Sequence, residues 1–359
     1  MIFYYQSEFL IMKTYKLRIF LLAFGGIFLS SCTSLLYTSF DVLRPAKVAF
    51  ATDANDLLVV NNTVNQPAEY GHITDLLNQT PKNVLINTDS LSIFCLGALT
   101  EDLDGKDFFS SVQMNPASIN KGTEFFRSES MTPEKVKELC QEKKVNVILS
   151  LDKIKVNDDL TEDYLTETST YLSVLMLRFE TSWSIHYPNK PEVTSIQFTD
   201  TVFWESESYQ RKKAMNDLPN RNDALVDGAL NVGHKTVNRF VPYWEKVDRY
   251  FFNPKNKFMK QGMDSVYVKN WKSAISIWEA EYQKSHSEWI QAQAANNIAI
   301  GYEITGDLDK ALEYATKAYY SLGKMPILNY ETFIRISDYI QELTQRKTEL
   351  ATLKKQLGE

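Results

Sequence analysis

The chain has 359 residues, enough for two ordinary domains, and its 44% hydrophobic, 13% aromatic and 23% charged content excludes a disordered or collagen-like protein. The formal net charge is -6, and Lys13, Lys16 and Arg18 precede Cys32 against only Glu8, so the remainder is more acidic still. An acidic body gives no electrostatic support for nucleic-acid binding, which needs patches of Lys and Arg.

Residues 12–32 read MKTYKLRIFLLAFGGIFLSSC. Lys13, Lys16 and Arg18 form a positive leader, and Ile19 to Leu29 is an apolar run too short to span a bilayer. Leu29-Ser30-Ser31-Cys32 then matches the lipobox of bacterial lipoprotein signal peptides. Small residues at 30 and 31 suit the signal peptidase. The Cys32 thiol takes a diacylglyceryl group, and cleavage frees its amine for an N-acyl chain. Several chains on one residue give stable anchoring where one is marginal. No other cofactor is expected. Residues 1–31 therefore read as the signal peptide, with translation starting at Met12, and 32–45 as a lipidated tether. Thr33 follows the cysteine where an aspartate would signal inner-membrane retention. No early acidic cluster of the surface-export kind is present. The expected place is the outer membrane, facing the periplasm.

Residues 46–252 read as an α+β domain: a mixed sheet with a long β-hairpin and packed helices. Strand-like runs are expected at 46–51, 57–61, 84–88 and 108–114, with a loop rich in Asn, Gln, Thr and Pro at 62–82. Leu91, Phe94, Cys95, Ala98 and Leu99 have helical spacing within 90–103. Thr132-Pro133-Glu134 opens a second helix, with Thr132 as N-cap and Pro133 at the first helical position. The apolar run 145–151 reads as a central strand. Apolar residues at odd positions in 179–187 and even positions in 196–204, around Pro188-Asn189-Lys190-Pro191, indicate a half-exposed antiparallel hairpin. Residues 206–222 read as a loop. A long helix is expected to start near Asp223, and Pro242 should end or kink it. The order of TPEKVKELCQEKKVNVILSLDKI (132–154), hairpin and closing helix resembles small periplasmic α+β domains. These occur in the Tol-system propeller protein, the curli export lipoprotein and the lipoproteins that activate peptidoglycan synthases. The resemblance implies protein contacts and envelope assembly.

Residues 253–359 read as all-helical. In 292–323, Ile298 and Ala299 form a large–small pair, Tyr302 follows, Gly306-Asp307 makes a turn, and Ala311 and Ala318 are small sites on a second helix. This resembles a tetratricopeptide repeat, a helical hairpin whose small residues let its helices cross closely. Gly262, Ala274 and Trp278 suggest an earlier, degenerate copy, and 328–356 a further pair or cap. Such repeats bury their faces by stacking. WKSAISIWEAEY (271–282), NNIAIGYEITGDLDKALEYATKAY (296–319) and PYWEKVDRYFF (242–252) also resemble an uncharacterised family of Bacteroidetes-type envelope lipoproteins, which implies location and layout.

No G-x-S-x-G, phosphate-binding glycine loop or H-E-x-x-H is present. Asp158, Asp159, Glu162 and Asp163 read as a solvated acidic turn, since a calcium loop would need glycine and regular ligand spacing. His186 reads as a surface residue and His234 has no candidate nucleophile nearby. Trp271, Trp278 and Trp289 have the spacing of packing residues, with sugar stacking as the alternative. Cys95 and Cys140 read as buried thiols on two helices, or as a disulfide in an oxidising compartment. The expectation is a non-enzymatic, lipid-anchored interaction or assembly factor with no metal and no nucleic acid, whose helical tail holds a protein partner. The alternative is a lipoprotein that binds glycan or peptidoglycan.

Overall fold

The computed structural model describes residues 35–127, 129–327 and 329–359. The signal-peptide reading, its Leu29, Ser30 and Ser31, and Cys32 lie outside the described residues. In chain order the elements are β1 (Leu35–Arg44), β2 (Asp56–Asn61), β3 (His72–Asp75), β4 (Lys82–Asn83), α1 (Leu91–Asp104), β5 (Ser111–Asn115) and α2 (Pro133–Lys143). Next come β6 (Val147–Leu165), β7 (Thr170–Tyr187), β8 (Lys190–Ser208), α3 (Arg211–Asn216), α4 (Arg221–Phe240) and β9 (Tyr243–Phe252). The helices α5 (Lys257–Tyr267), α6 (Trp271–Lys284), α7 (Glu288–Ile304), α8 (Leu308–Gly323) and α9 (Tyr330–Leu357) close the chain. The architecture is thus α+β followed by all-α. No described helix is long and apolar enough to cross a membrane.

Two compact units emerge. The sheet unit comprises Leu43–Trp244 with Leu350–Glu359. The helical unit comprises the described residues up to Val42 with Glu245–Glu349.

In the sheet unit, β6 is the axis. Its first half runs parallel to β2, and its second half runs parallel to β3 on the same side. β7 pairs with it antiparallel along the other side, and β8 pairs with β7. One face carries the main core, where Val147, Leu149, Leu151, Phe179, Trp183 and Ile185 meet α1 and α4. Gly233 lets these helices approach: a Cβ there would lie 2.3 Å from the Cys95 carbonyl oxygen. The opposite face is covered at one end, where Ile148 packs on Val136, Leu139 and Cys140 of α2. Thr132 caps α2 as its sequence predicts, accepting from the Lys135 N–H at 3.4 Å.

Several expectations need correction. The stretch read as a tether carries β1. Residues 46–51 and 84–88 are not strands, whereas β3 and β4 lie within or at the end of the expected loop 62–82. The acidic turn is part of β6, so alternation divides its four carboxylates between two faces. Asp158 is fully buried between His72 and Arg221, 2.8 Å from the Arg221 Nε, and Glu162 pairs with Arg211 at 2.7 Å. Of the two readings of the cysteines, the buried thiols hold: Cys95 and Cys140 are both free and buried, in separate clusters. Burial pushes the Cys95 thiol up to about 12, with the charge of Asp200 adding to it.

In the helical unit four successive helices each begin on a side-chain cap: Asn256 on α5, Asn270 on α6, Ser287 on α7 and Asp307 on α8. Gly306 turns between α7 and α8 with φ of +87°. Ile298, Ala299, Ala311 and Ala318 are fully buried, and Tyr302 is half-buried. Gly262 accommodates Trp278, since a Cβ would lie 2.0 Å from its Nε1. Trp278 is fully buried, and Trp271 and Trp289 pack against Phe251 and Phe252.

Candidate functional site

The site lies on the open face of the sheet unit and originates in one irregularity. Along β6 and β7 the register runs Ser150 to Ser184 and Leu151 to Trp183, then skips to Lys153 opposite Ser182. Asp152 is the extra residue of a β-bulge. A bulge re-aims side chains, and here Asp152 and Lys153 reach the same face while Leu151 and Ile154 both remain in the core. Ser150, Ser184 and Ser195 are cross-strand neighbours on β6, β7 and β8. Three polar rows therefore surround a buried carboxylate.

Asp152 is 5% exposed. Its Oδ1 accepts from Asn62 Nδ2 at 2.8 Å and from Ser150 Oγ at 2.7 Å. Its Oδ2 accepts from Ser184 Oγ at 2.5 Å. Buried carboxylates persist where such donors replace water. The Ser184 hydroxyl also lies 2.9 Å from Ser195 Oγ and 3.2 Å from Ser130 Oγ. Together Ser130, Asp152, Ser182, Ser184, Ser195 and Gln197 line an open cleft of about 550 Å³. Lys153 and Lys155 continue the strip beside it with Glu180 and Thr199. Lys153 Nζ lies 5.0 Å from the Phe125 ring centroid and Lys155 Nζ 5.8 Å from that of Tyr70. Burial, then the charge of Lys155, lowers the Lys153 pKa.

His186 is buried rather than on the surface, at 2% exposure, with Nε2 3.0 Å from Ser150 Oγ. The polar side of β7 is its side here too, but α2 and its preceding loop close that end. Burial lowers its pKa, opposed by the charge of Asp152. The order of groups is carboxylate, hydroxyl, imidazole. A nucleophilic relay needs the imidazole between the other two, so His186 is not placed to activate Ser184. His234 is exposed and bonds Asp102 at 2.9 Å. Among the described residues, no three His, Cys, Asp or Glu side chains are grouped to hold a metal ion.

The helical unit offers a different chemistry. Asn297 bonds the main chain of Phe252 twice, accepting from its N–H and donating to its carbonyl, each at 2.8 Å. Asn296 donates to the Tyr250 carbonyl at 3.1 Å. This face of α7 thus clasps the chain's own strand β9. Behind it, Arg249 forms a fork with the buried Glu303, at 2.8 Å through both Nε and Nη2, and Glu303 also accepts from Tyr339 and pairs with Arg346.

The model of one protein family matches residues 54–252, which contain the whole bulge, cleft and hairpin. The chain belongs to this family, described as a domain of unknown function, DUF8603. A second family, likewise described as a domain of unknown function, DUF6340, matches residues 260–345 in the helical unit. No curated protein matches the chain. Among solved structures, one described as a neuraminyllactose-binding hemagglutinin homolog from Helicobacter pylori is 12% identical, with a TM-score of 0.27, covering 52% of this chain and 84% of its own. Another, described as an uncharacterized protein, is 9% identical with a TM-score of 0.21, covering 51% of this chain and 91% of its own.

Within the DUF8603 region, neither Asp152 nor its serines stood out from the sequence. Strand alternation assigns Ser184 and Ser195 to a polar face, but no local signal marks the bulge. In the helical unit Ile298, Ala299, Tyr302, Ala311 and Ala318 pack between helices and Gly306 makes a turn; they do not come together as a site.

Proposed function

We propose that this chain is a non-catalytic lipoprotein of the bacterial envelope that holds a polyhydroxylated ligand, a peptidoglycan strand, in the sheet cleft. The observation that carries this reading is Asp152, re-aimed by its bulge and held by three donors beneath a cleft of hydroxyls and an amide. Such groups exchange hydrogen bonds with sugar hydroxyls, and the nearby exposed ring of Phe126 and half-buried ring of Tyr70 supply apolar faces. Lipid on Cys32, after cleavage behind Leu29-Ser30-Ser31, would hold the protein on the periplasmic face of the outer membrane, beside that polymer. Sedimentation with purified sacculi tests the reading. The wild-type chain should co-sediment, and Ser195→Trp, which fills the cleft from an exposed position, should stay in solution. Equal behaviour of the two, bound or unbound, would sink it.

A second reading makes the helical unit a tetratricopeptide-type module for a protein partner. Its support is the Asn296–Asn297 clasp, a chemistry suited to an extended main chain. Because β9 fills that face, a partner would have to displace it or bind elsewhere. In-cell crosslinking of the wild type and Asn297→Ala distinguishes these, since displacement predicts a change in yield between them.

A further inference from the structure

The helical unit carries a surface that neither reading uses, at the corner joining α8 to α9. We infer that this corner rests on the bilayer that holds the lipid, with Tyr37, Tyr320, Ile327, Tyr330 and Ile334 at headgroup level. The inference rests on the reading of Cys32 as the lipidated residue.

The first ground is the reach of the chain. β1 begins at Leu35, three positions after Cys32, and Leu35 and Leu36 pack against the core of the helical unit. Fully extended chain spans about 3.5 Å per residue, so Leu35 lies within roughly 10 Å of the lipidated Cα. β1 has no freedom to lengthen that distance. It pairs with β9, and β9 is clasped by Asn296 and Asn297. A long tether would let the helical unit stand away from the membrane, whereas this connection holds it at the headgroups.

The second ground is what the unit presents beside that point. Tyr37 is 62% exposed on β1, and its hydroxyl accepts from Arg335 Nη1 at 3.3 Å, which ties the strand to the first turns of α9. Tyr330 at 70% and Ile334 at 40% are a helical turn apart there, with Ile327 at 83% just before them. Tyr319 packs on Phe333 with ring centroids 4.4 Å apart, bringing the end of α8 and the 64% exposed Tyr320 to the same corner. Scattered exposed apolar residues need no explanation, but five gathered beside an acylated terminus do. Tyrosine is enriched where one end of the ring is wet and the other apolar, which is the membrane interface. Two charge pairs at this corner are matched, Arg335 with Glu331 at 2.7 Å and Lys324 with Glu288 at 3.8 Å. The attachment is therefore expected to resist salt.

The test uses the full lipidated chain, Tyr330→Cys with a nitroxide on the new thiol, floated on phosphatidylcholine vesicles; the native Cys95 and Cys140 are buried. On vesicles the label should be shielded several-fold from a water-soluble nickel chelate and more open to oxygen, compared with the unacylated Cys32→Ala form in solution. The shielding should survive high salt, and Ile327→Glu should reduce it. Flotation with full aqueous accessibility at the label would overturn the inference alone. Failure to float, with no acylated Cys32 in the mass of the N-terminal peptide, would overturn the anchor and the inference with it.

Discussion

His186 shows how much one buried group can report. Its ring is enclosed against Ser150, and burial outweighs the charge of Asp152, so its folded pKa lies below the ordinary value. The unfolded chain then binds the proton more readily. Stability attributable to His186 is complete above the unfolded value of about 6.5 and is lost as pH falls toward the depressed folded value. Urea titrations at pH 7.5 and pH 5.5 should show the wild type losing stability across that window, and His186→Gln should flatten the dependence. An unchanged slope would mean other groups set it. Asp158 supports a second prediction. Removing one partner of a buried ionic cluster leaves the others uncompensated. Asp158→Ala should therefore cost about 3 kcal/mol in chemical denaturation, while Asp163→Ala, exposed on the same strand, should change little. The sequence does not separate these two aspartates, because D-D-L-T-E-D has the composition of a turn. Their difference arises from the long β6–β7 pairing, which carries the segment through as strand and sends alternate carboxylates to opposite faces.

Elements with local punctuation were legible. The Thr132-Pro133-Glu134 start, the end of α4 before Pro242, and the Gly306-Asp307 turn each follow from backbone requirements of the residues themselves. The hairpin was legible from period-two alternation. Elements that depend on distant partners were not. β9 alternates in burial, yet its partner β1 lies some two hundred positions away, and its other support is a pair of amides on α7. The bulge at Asp152 was hidden for the same reason, since an extra residue in one strand is defined only by the register of its neighbour. Asn297→Ala leaves a buried N–H and carbonyl of Phe252 without these partners and should cost about 2–3 kcal/mol. Hydrogen exchange should quicken at Phe252 while α8 stays protected; no change at Phe252 would mean that the clasp is not what seats β9.

For the whole molecule, the proposed lipid on Cys32, a helical unit whose first strand begins at Leu35, and a polar sheet face would suit a protein that works between a membrane and a hydroxyl-rich polymer. The acidic balance fits this use, because retention would come from lipid and hydrogen bonding instead of bulk charge. Most of this proposal turns on whether the cleft at Asp152 binds a glycan. Hydrogen exchange of the full chain, with and without soluble peptidoglycan fragments, tests it most directly. Exchange within Ser182–Ser184 and Ser195–Gln197 should slow in the presence of the fragments, with no slowing in Ser195→Trp. Unchanged exchange on these segments at saturating fragment would contradict it.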